Sequence, residues 1–209
     1  MLPTDADLTH SEIDLTSGEA RVLLLACGAL AREILDIIEI NALAHLHLRC
    51  LPAIYHNTPE KIVPAIRDII ARDGDTYDKV FVVYADCGTG GQLQAACDEL
   101  GVEMVKGPHC YSFFEGNDAF AKRDEITSFY LTDFLVRQFD AFVWKPLGLD
   151  RHPDLRDMYF SHYTTLVYQS QIHDPALVAL AQQHADRLGL SFEHRHTGYG
   201  DLETTLLNV

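Results

Sequence analysis

Three of the five cysteines in this 209-residue chain stand where chemistry could occur, because each follows a short apolar run typical of a buried strand. They are Cys27, Cys87 and Cys110. Thiolates bind soft metal ions, ligate iron–sulfur clusters and act as nucleophiles. The sequence contains no CxxC pair of the kind found in common zinc motifs, so a shared site requires a fold that brings the three residues together.

Two metal centres fit three thiolates. A Zn²⁺ ion would take His56 or His109 as its fourth ligand, whereas a [4Fe–4S] cluster could keep its fourth iron open to a substrate. We slightly favour the cluster, because it needs no fourth protein ligand. The alternatives are a metal-free reactive cysteine, and cysteines that serve only as small residues in tight turns.

Polar residues beside these cysteines are candidate acid–base groups. His56 ends the second strand unit and His109 directly precedes a cysteine, so either histidine could transfer a proton if it binds no metal. Asp86 also adjoins a cysteine and could orient an imidazole or accept a proton. An aspartate at this position could equally cap a turn.

The residues after Cys87 are candidates for cofactor binding. Gly88 and Thr89 begin a glycine-rich run that could cradle a phosphate on its backbone amides. The run matches neither GxGxxG nor a P-loop, and a tight turn is the simpler interpretation. Tyr111 could line a pocket at the same edge, or simply pack against its neighbours.

The elements that would position these residues alternate between strands and helices. Apolar runs predict strands over 22–26, 46–54, 80–85 and 102–105, and apolar residues at helical spacing predict helices over 30–38, 59–70 and 93–100. This alternation is typical of a doubly wound, mainly parallel, Rossmann-like α/β sheet. Ligands bind at the carboxyl edge of such sheets, so the three cysteines are predicted to meet there. Cys50 and Cys97 are predicted to pack in the core.

The rest of the chain suggests one domain with additions. Residues 1–20 are acidic and lack apolar periodicity, which predicts a solvated N-terminal tail. Residues 21–209 are predicted to form a single α/β domain, with an aromatic-rich helical insertion over about 113–163 that could be a lid or a partner surface. Further strands are predicted over 166–168 and 191–195, and helices over 175–188 and from about 201.

Composition excludes several classes of partner. The formal net charge of −15 disfavours binding to nucleic acid or to an anionic membrane surface. The first twenty residues contain no Lys or Arg, unlike an export signal, and no apolar run is long enough to span a membrane. We therefore expect a cytoplasmic protein that acts on a small-molecule substrate.

Four motifs resemble those of an uncharacterised prokaryotic family, a domain of unknown function. They are CGAL at 27–30, HN and PE within 56–60, YADCG at 84–88 and GPHCY at 107–111. The family is found in methanogenic archaea and proteobacteria, often beside corrinoid-dependent methyltransferase genes, and its shared cysteines correspond to Cys27, Cys87 and Cys110. Residues 168–170 depart from its pattern, since an acidic or glycine-bearing strand end is expected there.

The resemblance implies a role in methyl transfer and one-carbon metabolism. Our first hypothesis is a metal- or iron–sulfur-binding enzyme, or enzyme-like accessory, of corrinoid metabolism. A second is a non-catalytic protein that handles a corrinoid or metal for a partner methyltransferase. A third is a metal-free enzyme with Cys87 as nucleophile and His109 as base.

Overall fold

The computed structural model describes residues 3–15 and 21–209, and it confirms the predicted mixed α/β fold with mainly parallel sheets. The chain forms two compact units. Unit 1 lies within Met1–Phe113 and Asp201–Val209, and unit 2 is Phe114–Gly200. Each unit has its own sheet, so the strands predicted for one domain are divided between two sheets.

Within its described residues, unit 1 is built on five strands. They are β1 (Ile13–Asp14), β2 (Val22–Cys27), β3 (Leu46–Leu51), β4 (Lys79–Val83) and β5 (Glu103–Met104). Their order in the sheet is β1-β3-β2-β4-β5, with β1 antiparallel to β3 and the other neighbours parallel. The helices of this part of the chain are α1 (Asp5–His10), α2 (Ala31–Ile40), α3 (Ile62–Asp73) and α4 (Gln92–Leu100).

The centre of unit 1 is β2, because its six residues are apolar or small and all are buried. A parallel strand buried on both faces needs helices to cover both faces. Ile34 and Ile37 of α2, together with Ile66 of α3, are completely buried. Full burial of one such side chain contributes about 2 kcal/mol relative to exposure, so this apolar burial stabilises the unit that contains β2.

The acidic N-terminal segment is more ordered than the predicted tail. Thr4 and Asp7 cap each other's backbone amides at the start of α1, with distances of 3.0 and 3.2 Å. Leu8 of this helix is completely buried, and β1 pairs with β3. The acidic side chains therefore cap a helix instead of serving only as solvated charge. Residues 16–20 of the predicted tail lie outside the described residues.

Unit 2 contains a second, entirely parallel sheet. Its strands are β6 (Ser128–Leu131), β7 (Thr165–Ser170) and β8 (Ser191–His196), in that order. Four helices belong to it: α6 (Asn117–Arg123), α7 (Asp133–Arg137), α8 (Leu155–Phe160) and α9 (Pro175–Leu188), while α5 (Cys110–Glu115) and α10 (Gly200–Leu206) cross the unit boundaries in sequence. The predicted helical insertion is mostly helical, but it also contains β6.

Helix α9 shows why local signals succeeded in this part of the chain. Asp174 caps it by accepting a hydrogen bond from the Ala176 amide at 2.8 Å, and Pro175 occupies the first position. Gly189 ends the helix with a left-handed φ of 71°. The predicted bounds of 175–188 are therefore confirmed. In the described ranges, no helix combines the length and apolar character needed to cross a membrane.

Close packing of α1 against the end of β2 gives a stability prediction. A Cβ atom on Gly28 would lie 2.2 Å from the carbonyl oxygen of Leu8, which is backbone and cannot rotate away. Gly28→Ala should therefore lower the free energy of unfolding by about 1–3 kcal/mol in urea denaturation. The control is Gly74→Ala, because Gly74 has helical φ and ψ and only a side chain nearby at 3.4 Å. Equal stability of the two variants would contradict the close approach.

Candidate functional site

The sheet of unit 1 reverses its direction of winding beside β2. From β2 the chain passes through α2 to β3, on one side of β2. From β4, the neighbour on the other side, it passes through α4 to β5. The two connections diverge, which leaves a crevice outside the carboxyl ends of β2 and β4, the usual ligand site of such sheets. Cys27 is the last residue of β2, and Cys87 lies in the turn that follows β4.

Cys87 and Cys110 are in contact at this edge. Their Sγ atoms are 3.9 Å apart and share a hydrogen bond, and both residues are partly exposed. The hydrogen bond from Cys110 is the largest effect on the pKa of the Cys87 thiol and holds it well below its usual range, against the opposing effect of burial. The pKa of Cys110 is raised by the same contact and by burial. These opposite shifts favour a thiolate at Cys87, with Cys110 as the donor of the shared bond.

His56 is the histidine that the structure brings to Cys87. It lies in the 3-10 turn Ala53–Asn57 that follows β3, and its hydrogen bond and charge further lower the pKa of Cys87. The ring of His109 packs against that of Tyr111, with centroids 5.5 Å apart. Of the two predicted histidines, His56 therefore acts on Cys87, and His109 packs against an aromatic ring.

Asp86 organises the turn that carries Cys87, which we call the Asp86 turn (residues 86–91). Its carboxylate accepts hydrogen bonds from the amides of Gly91 at 2.6 Å and Gly90 at 3.2 Å, and from the Thr89 hydroxyl at 3.0 Å. These bonds, that from Gly91 above all, hold the pKa of Asp86 below its usual value. The structure thus places this carboxylate in the turn itself, where it fixes the backbone around Cys87.

The glycine-rich run is a constrained turn. Cys87 has a left-handed φ of 48°, unusual for a residue with a side chain, and Gly88 follows at 80°. Such strain in a residue other than glycine is often found at functional sites. The Thr89 side chain is bonded within the turn. Because Asp86 already occupies the amides of residues 90 and 91, the turn offers a phosphate few of the donors that the sequence suggested.

Cys27 lies deeper than the other two cysteines of the predicted site. It is 7% exposed, and burial raises the pKa of its thiol to about 12, with the negative charge of Cys87 raising it further. The Tyr84 hydroxyl opposes this shift. Tyr84 is itself buried, and its pKa is raised by burial and then by the charges of nearby cysteines. A buried phenol therefore lies among the sulfur groups.

A buried acid beside this crevice was missed in the sequence. Glu33, in the first turn of α2, is 4% exposed, and its charge raises the pKa of Cys27 and Cys50. Its position beside the apolar residues Leu30 and Ile34 was a usable signal, since an acidic residue on a buried helix face is uncommon. Cys50 is completely buried, as is Cys97, which confirms their predicted place in the core.

The sulfur groups do not form a complete metal cage. Across residues 3–15 and 21–209, no group of three or more His, Cys, Asp and Glu side chains has the arrangement that holds a metal ion. The preformed element is the Cys87–Cys110 pair. Zinc and cluster binding by the three predicted cysteines consequently stay predictions.

The charge state of Cys87 gives a reactivity prediction. An ordinary cysteine is about 1% ionised at pH 6.5, whereas the lowered pKa of Cys87 keeps its thiolate present there. Cys87 should therefore react with iodoacetamide about twofold to fourfold faster than free cysteine at this pH, after allowing for the weaker nucleophilicity of a less basic thiolate. Mass spectrometry of the labelled peptides measures the rate. His56→Asn should move the midpoint of the pH–rate profile of Cys87 to higher pH and His109→Asn should not; an ordinary thiol pH profile at Cys87 in the wild-type protein would contradict the assignment.

Comparison with known proteins gives a family and no further relative. No curated protein and no solved structure matches the chain. The sequence model of the family described as "Protein of unknown function (DUF1638)" matches residues 50–206, which include His56, Cys87 and Cys110 and begin after Cys27. Because this match covers most of the 209 residues, the chain belongs to the DUF1638 family of proteins of unknown function.

Proposed function

We propose that this chain binds a soft metal ion through Cys87 and Cys110, and that Zn²⁺ is the best candidate. The 3.9 Å between their Sγ atoms carries the proposal. Two thiolates bound to one tetrahedral zinc, each at about 2.3 Å, have sulfur atoms about 3.8 Å apart. The pair therefore has the spacing of one edge of a zinc–thiolate tetrahedron.

The same distance favours a single ion over the [4Fe–4S] cluster preferred from the sequence. In a cluster, cysteines bind different irons, so two metal atoms lie between their sulfur atoms. That arrangement requires a wider separation than the contact between Cys87 and Cys110. Zinc is thus the better candidate for this pair, and it accepts mixed sulfur and nitrogen ligands.

Cys27 and His56 are the residues available to complete the coordination shell. Cys27 ends the neighbouring strand, and His56 is close enough to lower the pKa of Cys87 through its hydrogen bond and charge. Either must reorient to reach a metal held by the pair, since no third ligand of this kind is in place in the described residues. A divalent cation would also offset the mutual repulsion that raises the pKa of Cys27 beside the Cys87 thiolate.

An incomplete shell suits a site that exchanges its metal or keeps a position for a substrate. Catalytic zinc sites leave one position for water or substrate, where the ion acts as a Lewis acid. We propose that the open positions accept a thiol or another small polar molecule in corrinoid-linked methyl transfer, or a ligand from a partner that receives the metal. The family resemblance in the sequence motifs supports this metabolic setting.

A metal-free cysteine enzyme is the second candidate. The lowering of the Cys87 pKa by His56 supports it, because a nucleophilic thiolate needs an adjacent group that stabilises it and exchanges protons. This proposal replaces the His109 base of the sequence hypothesis with His56. In this alternative the Cys87 thiolate would attack an electrophilic substrate in the crevice beside β2 and β4.

Metal analysis after anaerobic purification separates these proposals. We expect stoichiometric zinc in the wild-type protein and its loss in Cys87→Ala and Cys110→Ala, because either change removes half of the preformed pair. Cys97→Ala is the matched control, since this cysteine is buried in α4, away from the pair, and its loss costs only packing. Iron with sulfide and broad visible absorption would favour the cluster over zinc. The absence of both metals in folded protein would overturn metal binding.

A further inference from the structure

We propose that Cys87 and Cys110 form a reversible disulfide when the protein meets a peroxide, which makes the pair a site of oxidative modification. The inference goes beyond metal binding and does not require it. It stands on the contact of the two Sγ atoms at 3.9 Å. A disulfide has an S–S length of about 2.05 Å, so the sulfur atoms must approach each other by about 2 Å.

Both cysteines lie outside the strands, so the approach of their sulfur atoms does not require a strand to move. Cys87 lies in the Asp86 turn, between β4 and α4, where Gly88, Gly90 and Gly91 all have positive φ. Cys110 is the first residue of α5. Neither cysteine is paired in a strand, whereas Cys27 is held in β2 opposite Leu51. Closing the Cys87–Cys110 bond therefore leaves the sheet ladders intact.

Solvent exposure distinguishes Cys87 and Cys110 from the other three cysteines. Cys87 and Cys110 are partly exposed, while Cys27, Cys50 and Cys97 are buried. A small oxidant such as hydrogen peroxide reaches exposed thiols first, and a neighbouring thiol determines whether oxidation stops at a disulfide. The arrangement of an accessible cysteine beside a resolving cysteine is typical of redox-sensitive sites.

The reaction balances with one peroxide for each disulfide. The Cys87 thiolate attacks one peroxide oxygen, the O–O bond breaks, and Cys87 sulfenic acid forms with hydroxide, which takes a proton to become water. The Cys110 thiol then attacks the sulfenic sulfur; the S–S bond forms, the S–O bond breaks, and the second water leaves with the thiol proton. Two thiols lose two electrons and the peroxide gains them. A dithiol reductant reverses the change.

Oxidation would also control the proposed metal site, and this consequence alone rests on the proposed function. Disulfide sulfur atoms no longer supply the two thiolates that bind zinc. Peroxide should therefore release zinc from the loaded protein in step with disulfide formation. A dithiol should restore metal binding.

The direct test is thiol counting and peptide mapping of full-length, metal-free, reduced protein treated with hydrogen peroxide. We expect two of the five thiols to disappear, with a link between Cys87 and Cys110 that dithiothreitol removes. The tryptic peptide 80–106 contains both Cys87 and Cys97, so mapping should use the Cys97→Ala protein as well as the wild type. Loss of two thiols should persist in that variant.

Cys110→Ser provides the second arm. In this variant Cys87 should stop at the sulfenic acid, which dimedone traps, and no disulfide should form within the chain. A link from Cys87 to Cys27, a link between two chains, or unchanged thiols in the wild type would each overturn the proposal. Because the test uses metal-free protein, a disulfide found without zinc binding would refute only the metal site, and zinc binding without a disulfide would refute only this inference.

Discussion

Burial of β2 on both faces is the constraint on which the candidate site depends. All six residues of this strand are buried, so helices must cover both sides of the sheet, and the chain must leave β2 and β4 in opposite directions. That divergence opens the crevice where Cys27 ends its strand and the Asp86 turn presents Cys87. The position of the sulfur groups thus follows from hydrophobic packing within the sheet and its covering helices.

Hydrogen bonding then gives chemically identical cysteine side chains different pKa values. Cys110 and His56 both lower the pKa of Cys87, which favours its thiolate although the side chain is partly buried. Cys27 has no comparable stabilisation and keeps its proton, because burial dominates its pKa. Asp86 supports this asymmetry indirectly, since its bonds to the turn amides hold the strained backbone at Cys87. One thiolate beside one thiol is an arrangement suited to metal binding, nucleophilic attack and oxidation.

The sequence predicted what is determined locally or by sheet topology. Caps beside α9 defined its bounds at 175–188, and the carboxyl-edge rule brought Cys87 and Cys110 to one place. It did not predict α1, whose Leu8 is stabilised by packing against distant residues rather than by local periodicity. The sequence could not predict that His56, rather than His109, is the histidine near Cys87, because this depends on side-chain directions at a turn. The short strand β6 was hidden by its aromatic, helix-like surroundings.

The central claim is that Cys87 and Cys110 act as one pair of sulfur ligands. Zinc K-edge X-ray absorption of the zinc-loaded protein tests it most directly, because the first coordination shell distinguishes sulfur from nitrogen and oxygen. We predict at least two sulfur scatterers at about 2.3 Å, which are lost when Cys87 and Cys110 are both replaced by alanine. A shell of nitrogen and oxygen alone in the wild-type protein, or a sulfur shell unchanged in the double variant, would contradict the account.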